Sequence, residues 1–237
     1  MAVHCLVILL LIHNVWAEPI LLRGQFHGLL LGNGDREQEL QLVMGHSGRD
    51  RSMLFKPVFR HRHQLRRVGT LAPVKDGKAV LEELTGQRKE EAEDDDMDWE
   101  EEVLGEMEGG YDNDRFSCYW DSDSHMTYPL ILAKIPVKNP WEIFAYLPFG
   151  NWNECPDTPD LMAVAKYWFE QHGAIPAAMS HDELEFELPT PISKERALEV
   201  AVEQYGFCPD LEQNEDGSIG SLADVLWQST VWYFWWD

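Results

Sequence analysis

The tripeptide Cys-Pro-Asp occurs twice in this chain, as Cys155-Pro156-Asp157 and as Cys208-Pro209-Asp210. A thiol can attack an acyl centre when a nearby base or a helix N-terminus favours its thiolate. Cys155 stands just ahead of a predicted helix, and His181, His172 and His125 are the bases of the same region. Cys155 with His181 is therefore a candidate nucleophile and base. Asp157 and Asp210 are candidate carboxylates for hydrolysis. Each has a structural alternative: a buried thiol packs as a small apolar group, Asp157 caps a helix, and His181 occupies a turn. If the helices beside the two cysteines pack antiparallel, both thiols reach one end of the sheet, and a disulfide stays open. Cys118 would be left over, which fits a reducing compartment. No Cys-x-x-Cys or His-x-x-x-His pair starts a zinc site, so neither metal nor cofactor is expected.

A second candidate site is aromatic. Trp152 sits in the loop Gly150-Asn151-Trp152-Asn153-Glu154, where a large ring is harder to bury than in a strand. Trp152, Asn153 and Glu154 together could line a pocket for a small polar ligand or a partner's side chain, against the alternative of simple loop packing.

The elements that must position these residues are regular from about residue 115 onward. Pro129–Ile135 is a continuous apolar run and reads as a buried strand, and Glu142–Leu147 as a second one after the Lys138-Asn139-Pro140 turn. Thr158-Pro159 opens a helix capped by Asp157 or Thr158. Its inward face is Leu161, Val164, Ala165, Trp168 and Phe169, and Gly173 ends it. Ile175–Met179 reads as an edge strand because Pro176 cannot donate to a ladder. After the turn Ser180-His181-Asp182, Glu183–Leu188 alternates acidic and apolar residues, so the acids should meet water. A second helix follows Ser193, with Ala197, Leu198, Ala201 and Tyr205 inward and Gly206 closing it. Ile219–Gln228 forms a short third helix, and Thr230–Asp237 a final aromatic strand. The expected fold is α+β, with mixed α/β open: a small sheet of about five strands with two to three helices.

Upstream the composition changes. Residues 1–89 carry 13 basic and 8 acidic side chains, a net of +5, and residues 90–237 a net of −28. Only 4 of the 27 aromatic residues precede residue 90. That step divides the chain into a signal-like apolar segment at 1–17, a poorly ordered basic region at 18–77, an acidic hinge with a short helix at 78–114, and the α+β domain at 115–237. In the hinge, Glu90–Glu102 places 10 acids in 13 residues, a density that keeps the run solvated. Cys5–Ile12 has the length of a signal-peptide core, but no basic residue precedes it. The chain is read as cytoplasmic, with secretion as the alternative if residues 1–17 act as a signal. No run approaches the roughly 18 apolar residues of a membrane span. The acidic second part excludes nucleic acid as its partner.

Several rare strings occur in order: Ile135-Pro-Val-Lys-Asn-Pro-Trp-Glu142, Pro148-Phe-Gly-Asn-Trp-Asn-Glu-Cys-Pro-Asp157, Lys166-Tyr-Trp168, Tyr205-x-Phe-Cys-Pro-Asp210 and Ser229-Thr-Val-Trp-Tyr-Phe-Trp-Trp-Asp237. They resemble the bacterial domain-of-unknown-function family 4253 over roughly residues 129–237. One departure is Asn151, where the family pattern carries a second Gly. The resemblance implies a prokaryotic, cytosolic setting and carries no established activity.

Two functional classes remain. One is a non-enzymatic interaction domain whose negative charge steers it to a basic partner protein. The other is a small Cys- or Asp-dependent hydrolase with Cys155 and His181 in one cleft. Their separation turns on whether those side chains converge and whether the thiol is ionisable.

Overall fold

The computed structural model describes residues 4–11, 41–45, 75–121, 125–127, 130–145, 147, 149–210 and 218–237, with backbone only at 4–11, 41–45, 120–121, 127 and 130–136. Apart from that strand backbone, the signal-like reading of residues 1–17 and nearly all of the basic region 18–77 lie outside the described residues. Among the described residues no helix is long and apolar enough to cross a membrane.

The domain is α+β. Its small antiparallel sheet has three strands rather than about five: β1 (Ile175–Met179), β2 (Glu183–Glu187) and β3 (Val231–Trp235), with β2 in the middle. The β1–β2 ladder slips between Pro176 and Ala178, where the proline ring removes a donor. Leu130–Val137 is also a strand, close to the expected Pro129–Ile135. Its backbone register runs antiparallel to both His4–Leu11 and Gln41–Gly45, and Leu9 and Leu10 lie parallel to Ala178 and Met179 at the β1 edge.

The expected strand at 142–147 is instead a 3-10 turn, Pro140–Ala145. Pro140 has the fixed φ of a first helical turn. Glu142 accepts hydrogen bonds from Lys138 N (3.0 Å) and Asn139 Nδ2 (2.7 Å), which winds the chain there. Ile143, Phe144 and Ala145 are all buried, a run that a half-exposed strand could not bury on one face.

Among the described residues four α-helices accompany the sheet: α1 (Gly77–Asp94), α2 (Thr158–His172), α3 (Lys194–Phe207) and α4 (Ile219–Leu226). α2 follows its sequence signals closely. Asp157 accepts from Asp160 N at 3.0 Å, and Gly173 closes the helix in the left-handed region at φ 73°. In α3 the buried stripe is Ala197, Val200, Ala201, Gln204 and Phe207, so Leu198, expected inward, points out and is 36% exposed. Gly206 does not end α3 either, because the helix runs through it to Phe207. Its missing side chain serves another purpose: a Cβ there would lie 2.5 Å from Thr85 Oγ1, so the glycine lets α1 and α3 cross at close range.

α1, 18 residues long, is more than the short helix expected in the acidic hinge. Leu81, Val80, Ala92 and Arg88 are buried against α2 and α3. A π-helical turn, Trp99–Leu104, follows, capped at both ends of its first turn: Asp98 Oδ1 accepts from Glu100 N and Glu101 N, and Asp98 N donates to Glu102. Val103 anchors it in the core. The acids of residues 90–102 are exposed, seven of the ten on helical backbone and Asp95, Asp96 and Asp98 in the turn between.

The core is aromatic and centred on Trp168. Its indole stacks on Phe234 (5.5 Å, 11°) and meets Phe207, Trp232 and Phe186 edge-on at 5.0, 5.4 and 5.8 Å. Its Nε1 donates to Glu203, whose other oxygen accepts from Tyr167. On the final strand Trp232 and Phe234 face this cluster, and Trp236, just past it, closes the side toward Phe149.

Candidate functional site

Trp152, Asn153, Glu154, Cys155 and Asp157 share the loop Phe149–Asp157, which is wound tightly. Gly150 and Asn151 both have positive φ, 93° and 70°, and so does Asn153 at 44°. A Cβ on Gly150 would fall 2.0 Å from the Pro156 carbonyl oxygen, which only glycine avoids. Asn151 adopts the left-handed conformation at the place where the family pattern has glycine, and asparagine tolerates that region best among side-chain-bearing residues. Its N–H is shared between the carbonyls of Cys155 (3.2 Å) and Pro156 (3.0 Å), while Cys155 N donates back to Trp152 O (2.9 Å).

Trp152 is half-buried, edge-on to Phe149 at 4.8 Å, so its ring is part of the packing. Asn153 is exposed. Glu154 reaches across to α1, where it accepts from Arg88 Nη2 at 2.7 Å, and Arg88 Nη1 donates to Glu91 at 2.6 Å. The Arg88 side chain is only 8% exposed, so this fork pins the loop to α1 from below the surface. Trp152, Asn153 and Glu154 thus share one loop, with the ring and the carboxylate both engaged in holding it.

The thiols are buried. Cys155 lies beneath the loop and Cys208 is fully enclosed, its Sγ donating to the Trp235 carbonyl at 3.0 Å. Among the described residues Cys118, Cys155 and Cys208 are free. Burial pushes the Cys155 and Cys208 thiols far above the ordinary range, and Asp210 and Cys155 raise Cys208 further. Asp157 caps α2. Asp210 accepts from Asp237 N at 3.3 Å, which ties the C-terminal residue to the segment after α3. His181 stands at the tip of the β1–β2 hairpin, 64% exposed, with Nδ1 3.0 Å from Asp182 Oδ1. The structure therefore places Cys155 and Asp157 together at the start of α2, and His181 in a solvent-facing turn. Among the described residues no group of three or more His, Cys, Asp or Glu is arranged to hold a metal.

Two polar clusters were not anticipated. On the outer face of β2, Glu185 is 0% exposed although the alternation there predicts water. The segment 110–119 crosses that face as a strap. Glu185 accepts from Ser117 N (2.7 Å), Ser117 Oγ (3.0 Å) and Cys118 N (3.3 Å), while burial pushes its pKa upward against those bonds. The strap is also held by Asn113, whose N–H donates to Ser229 Oγ at 2.7 Å and whose carbonyl accepts from Thr230 N and Val231 N. Nothing local in Glu-Leu-Glu-Phe-Glu announces a cover lying about 70 residues upstream; a carboxylate ladder without neighbouring cations was the only available signal. The second cluster joins α2 and α3 through Glu203, Tyr167 and Trp168, and burial again pushes Glu203 up.

Fold and site together define a compact α+β domain with a tryptophan-rich core, closed by an acidic helix that an arginine fork locks to a tight loop. Residues 131–237, a little under half of the chain, match the model of DUF4253, a domain of unknown function. No curated protein and no solved structure matches the chain.

Proposed function

We propose that this domain is a non-enzymatic interaction module that recognises a basic partner protein. One observation carries the reading. Seven of the ten acids in the densest acidic run of the chain are mounted on α1 and the π-helical turn, which Leu81, Arg88, Ala92 and Val103 anchor in the core. Carboxylates held on ordered backbone lose less freedom on binding than those of a loose linker, and they steer a cationic partner from a distance of about a Debye length. The hydrolase alternative gains no comparable support, because Cys155 is buried with a raised pKa and Asp157 is committed to a cap.

The test uses the full chain against basic proteins of known structure, such as lysozyme and cytochrome c, by isothermal titration at 20 and 200 mM salt. Affinity should be measurable at low salt and fall at least tenfold at high salt. A Glu93→Gln/Glu100→Gln/Glu101→Gln variant, which leaves the Asp98–Glu102 cap intact, should weaken it. Undetectable binding at 20 mM salt, or equal affinity for the variant, refutes the reading. Iodoacetamide at pH 7 tests the alternative on the same sample: Cys155 reacting faster than a free thiol would revive it.

A further inference from the structure

We propose that the groove between α1 and α3 is the docking site for a basic amphipathic helix of the partner. This rests on the basic-partner reading and assigns it a surface. Leu81, Trp99, Leu104, Leu198 and Val202 supply the apolar walls of a groove of about 750 Å³, open to solvent. Three features single it out from an ordinary furrow.

The first is Leu198. α3 already buries a complete stripe, and Leu198 lies off it, 36% exposed on the groove side. A large apolar side chain held in a concave, partly apolar surface gains contacts when a second apolar face arrives.

The second is Gly86. It sits in the interior of α1, where glycine weakens a helix, yet a Cβ there would meet nothing within 4 Å. No packing partner within the described residues requires it. It does line the groove, and an open site without a side chain lets another helix approach the α1 backbone closely. Gly206 is the contrast, since its neighbour Thr85 occupies that space from inside the fold.

The third is charge. Glu82, Glu195, Glu199 and Glu203 line the groove against Lys78 and Lys89. Lys78 is 3.6 Å from Glu82, and Lys89 lies over the Trp99 ring at 5.1 Å. Glu203 is occupied by Tyr167 and Trp168, Glu199 by Arg196 at 3.4 Å and Glu82 by Lys78, so Glu195 and the excess of four Glu over two Lys in the lining are what favour Lys or Arg side chains flanking an apolar stripe. The stretch from Lys78 to Lys89 spans about 17 Å at 1.5 Å per residue, enough for about three helical turns. Apolar residues at i, i+3, i+4 and i+7 of the partner would face Leu198 and the Gly86 backbone, with cations over Glu195 and Glu82.

The probe is a fluorescein-labelled 18-residue Leu/Lys peptide with its leucines on one helical face, compared by anisotropy with a shuffled peptide of equal composition. The full chain should bind the amphipathic peptide at least tenfold more tightly than the shuffled one. Leu198→Asp and Gly86→Gln should each weaken that binding at least tenfold, and thermal melting should show both folded, since one site is exposed and the other open. Equal binding of both peptides with a steep salt dependence overturns the groove and leaves the basic-partner reading standing. No binding of either peptide overturns both. A dimer by light scattering that Leu198→Asp converts to monomer assigns the groove to a second copy and overturns the proposal. So does peptide affinity that appears only after Arg60, Arg62, Arg66 and Arg67 are changed to Glu, because the chain's own basic segment would then be the occupant.

Discussion

His172 should make this domain lose stability as the pH falls from about 6.5 to about 4. The ring lies in the last turn of α2, edge-on to Trp232 at 5.7 Å, and its Nε2 is buried with no hydrogen-bond partner. Burial, with Arg196 adding to it, pushes its pKa from 6.5 down to about 4. A base whose folded pKa is depressed stabilises the native state above its unfolded pKa, and that contribution disappears as pH drops through the folded one. A shift of this size corresponds to about 3.4 kcal/mol at 1.36 kcal/mol per pH unit, of which about 2.5 kcal/mol would be gone by pH 4.5. The ring keeps part of its surface in water, so roughly half, about 1–1.5 kcal/mol, should be observable. Glu185 and Glu203 work in the opposite sense, because their raised pKa values make the native state take up protons early. The measurement is therefore a difference. Urea unfolding followed by tryptophan fluorescence, at pH 7.5, 6.5, 5.5 and 4.5, is compared between the natural chain and His172→Phe, which fills similar space and does not titrate. The advantage of the natural chain over the variant should shrink by about 1–1.5 kcal/mol between pH 7.5 and 4.5. A difference constant within 0.3 kcal/mol across that range would refute the argument that burial keeps this ring neutral.

Gly206→Ala should destabilise the domain by about 1–3 kcal/mol, because its Cβ would press on Thr85 Oγ1 at 2.5 Å and on Thr85 N at 2.9 Å; a melting temperature equal to that of the natural chain would show that the α1–α3 crossing can relax. Glu185→Gln turns one of the two acceptor oxygens into an NH2, which faces the N–H of either Ser117 or Cys118, and should cost about 1–3 kcal/mol. Amide exchange should speed up in the strap and on the outer edge of β2, while protection around Trp168 stays unchanged.

What could be read ahead of the structure divides by range. α2 was legible to the residue because its determinants are local: Asp157 at the cap, Pro159 in the first turn, Gly173 at the end, and an apolar stripe repeating at 3 and 4. The β1–β2 hairpin was legible for the same reason. Apart from the 142–147 segment, where Pro140 and the hydrogen bonds of Glu142 wind the chain locally, the errors involve partners distant in sequence. Gly206 looks like a helix terminator until Thr85, about 120 residues away, is seen to occupy the space beside it. Leu198 and Val200 exchange roles because α1 and α4, rather than the helical period alone, decide which face of α3 is covered. Glu185 looks solvent-facing until the strap is laid over it.

The same distinction bears on the candidate site. Cys-Pro-Asp draws attention as a pair of reactive types at short spacing, yet the spacing that makes Asp157 a good helix cap also turns Cys155 inward beneath the loop. The second copy follows a helix, and there the aspartate takes the N–H of Asp237 and the thiol the carbonyl of Trp235. Two identical tripeptides thus solve two different problems of chain ends, so their repetition gives no evidence of a shared catalytic function. Among the described residues, the features that folding explains least are an exposed leucine, a helix glycine with no neighbour within 4 Å, and the exposed carboxylates standing along α1 beyond those paired with Lys78 and Arg88. Their common location beside α1 is the reason to look for function there, where the side chains cost the fold something and return nothing to it.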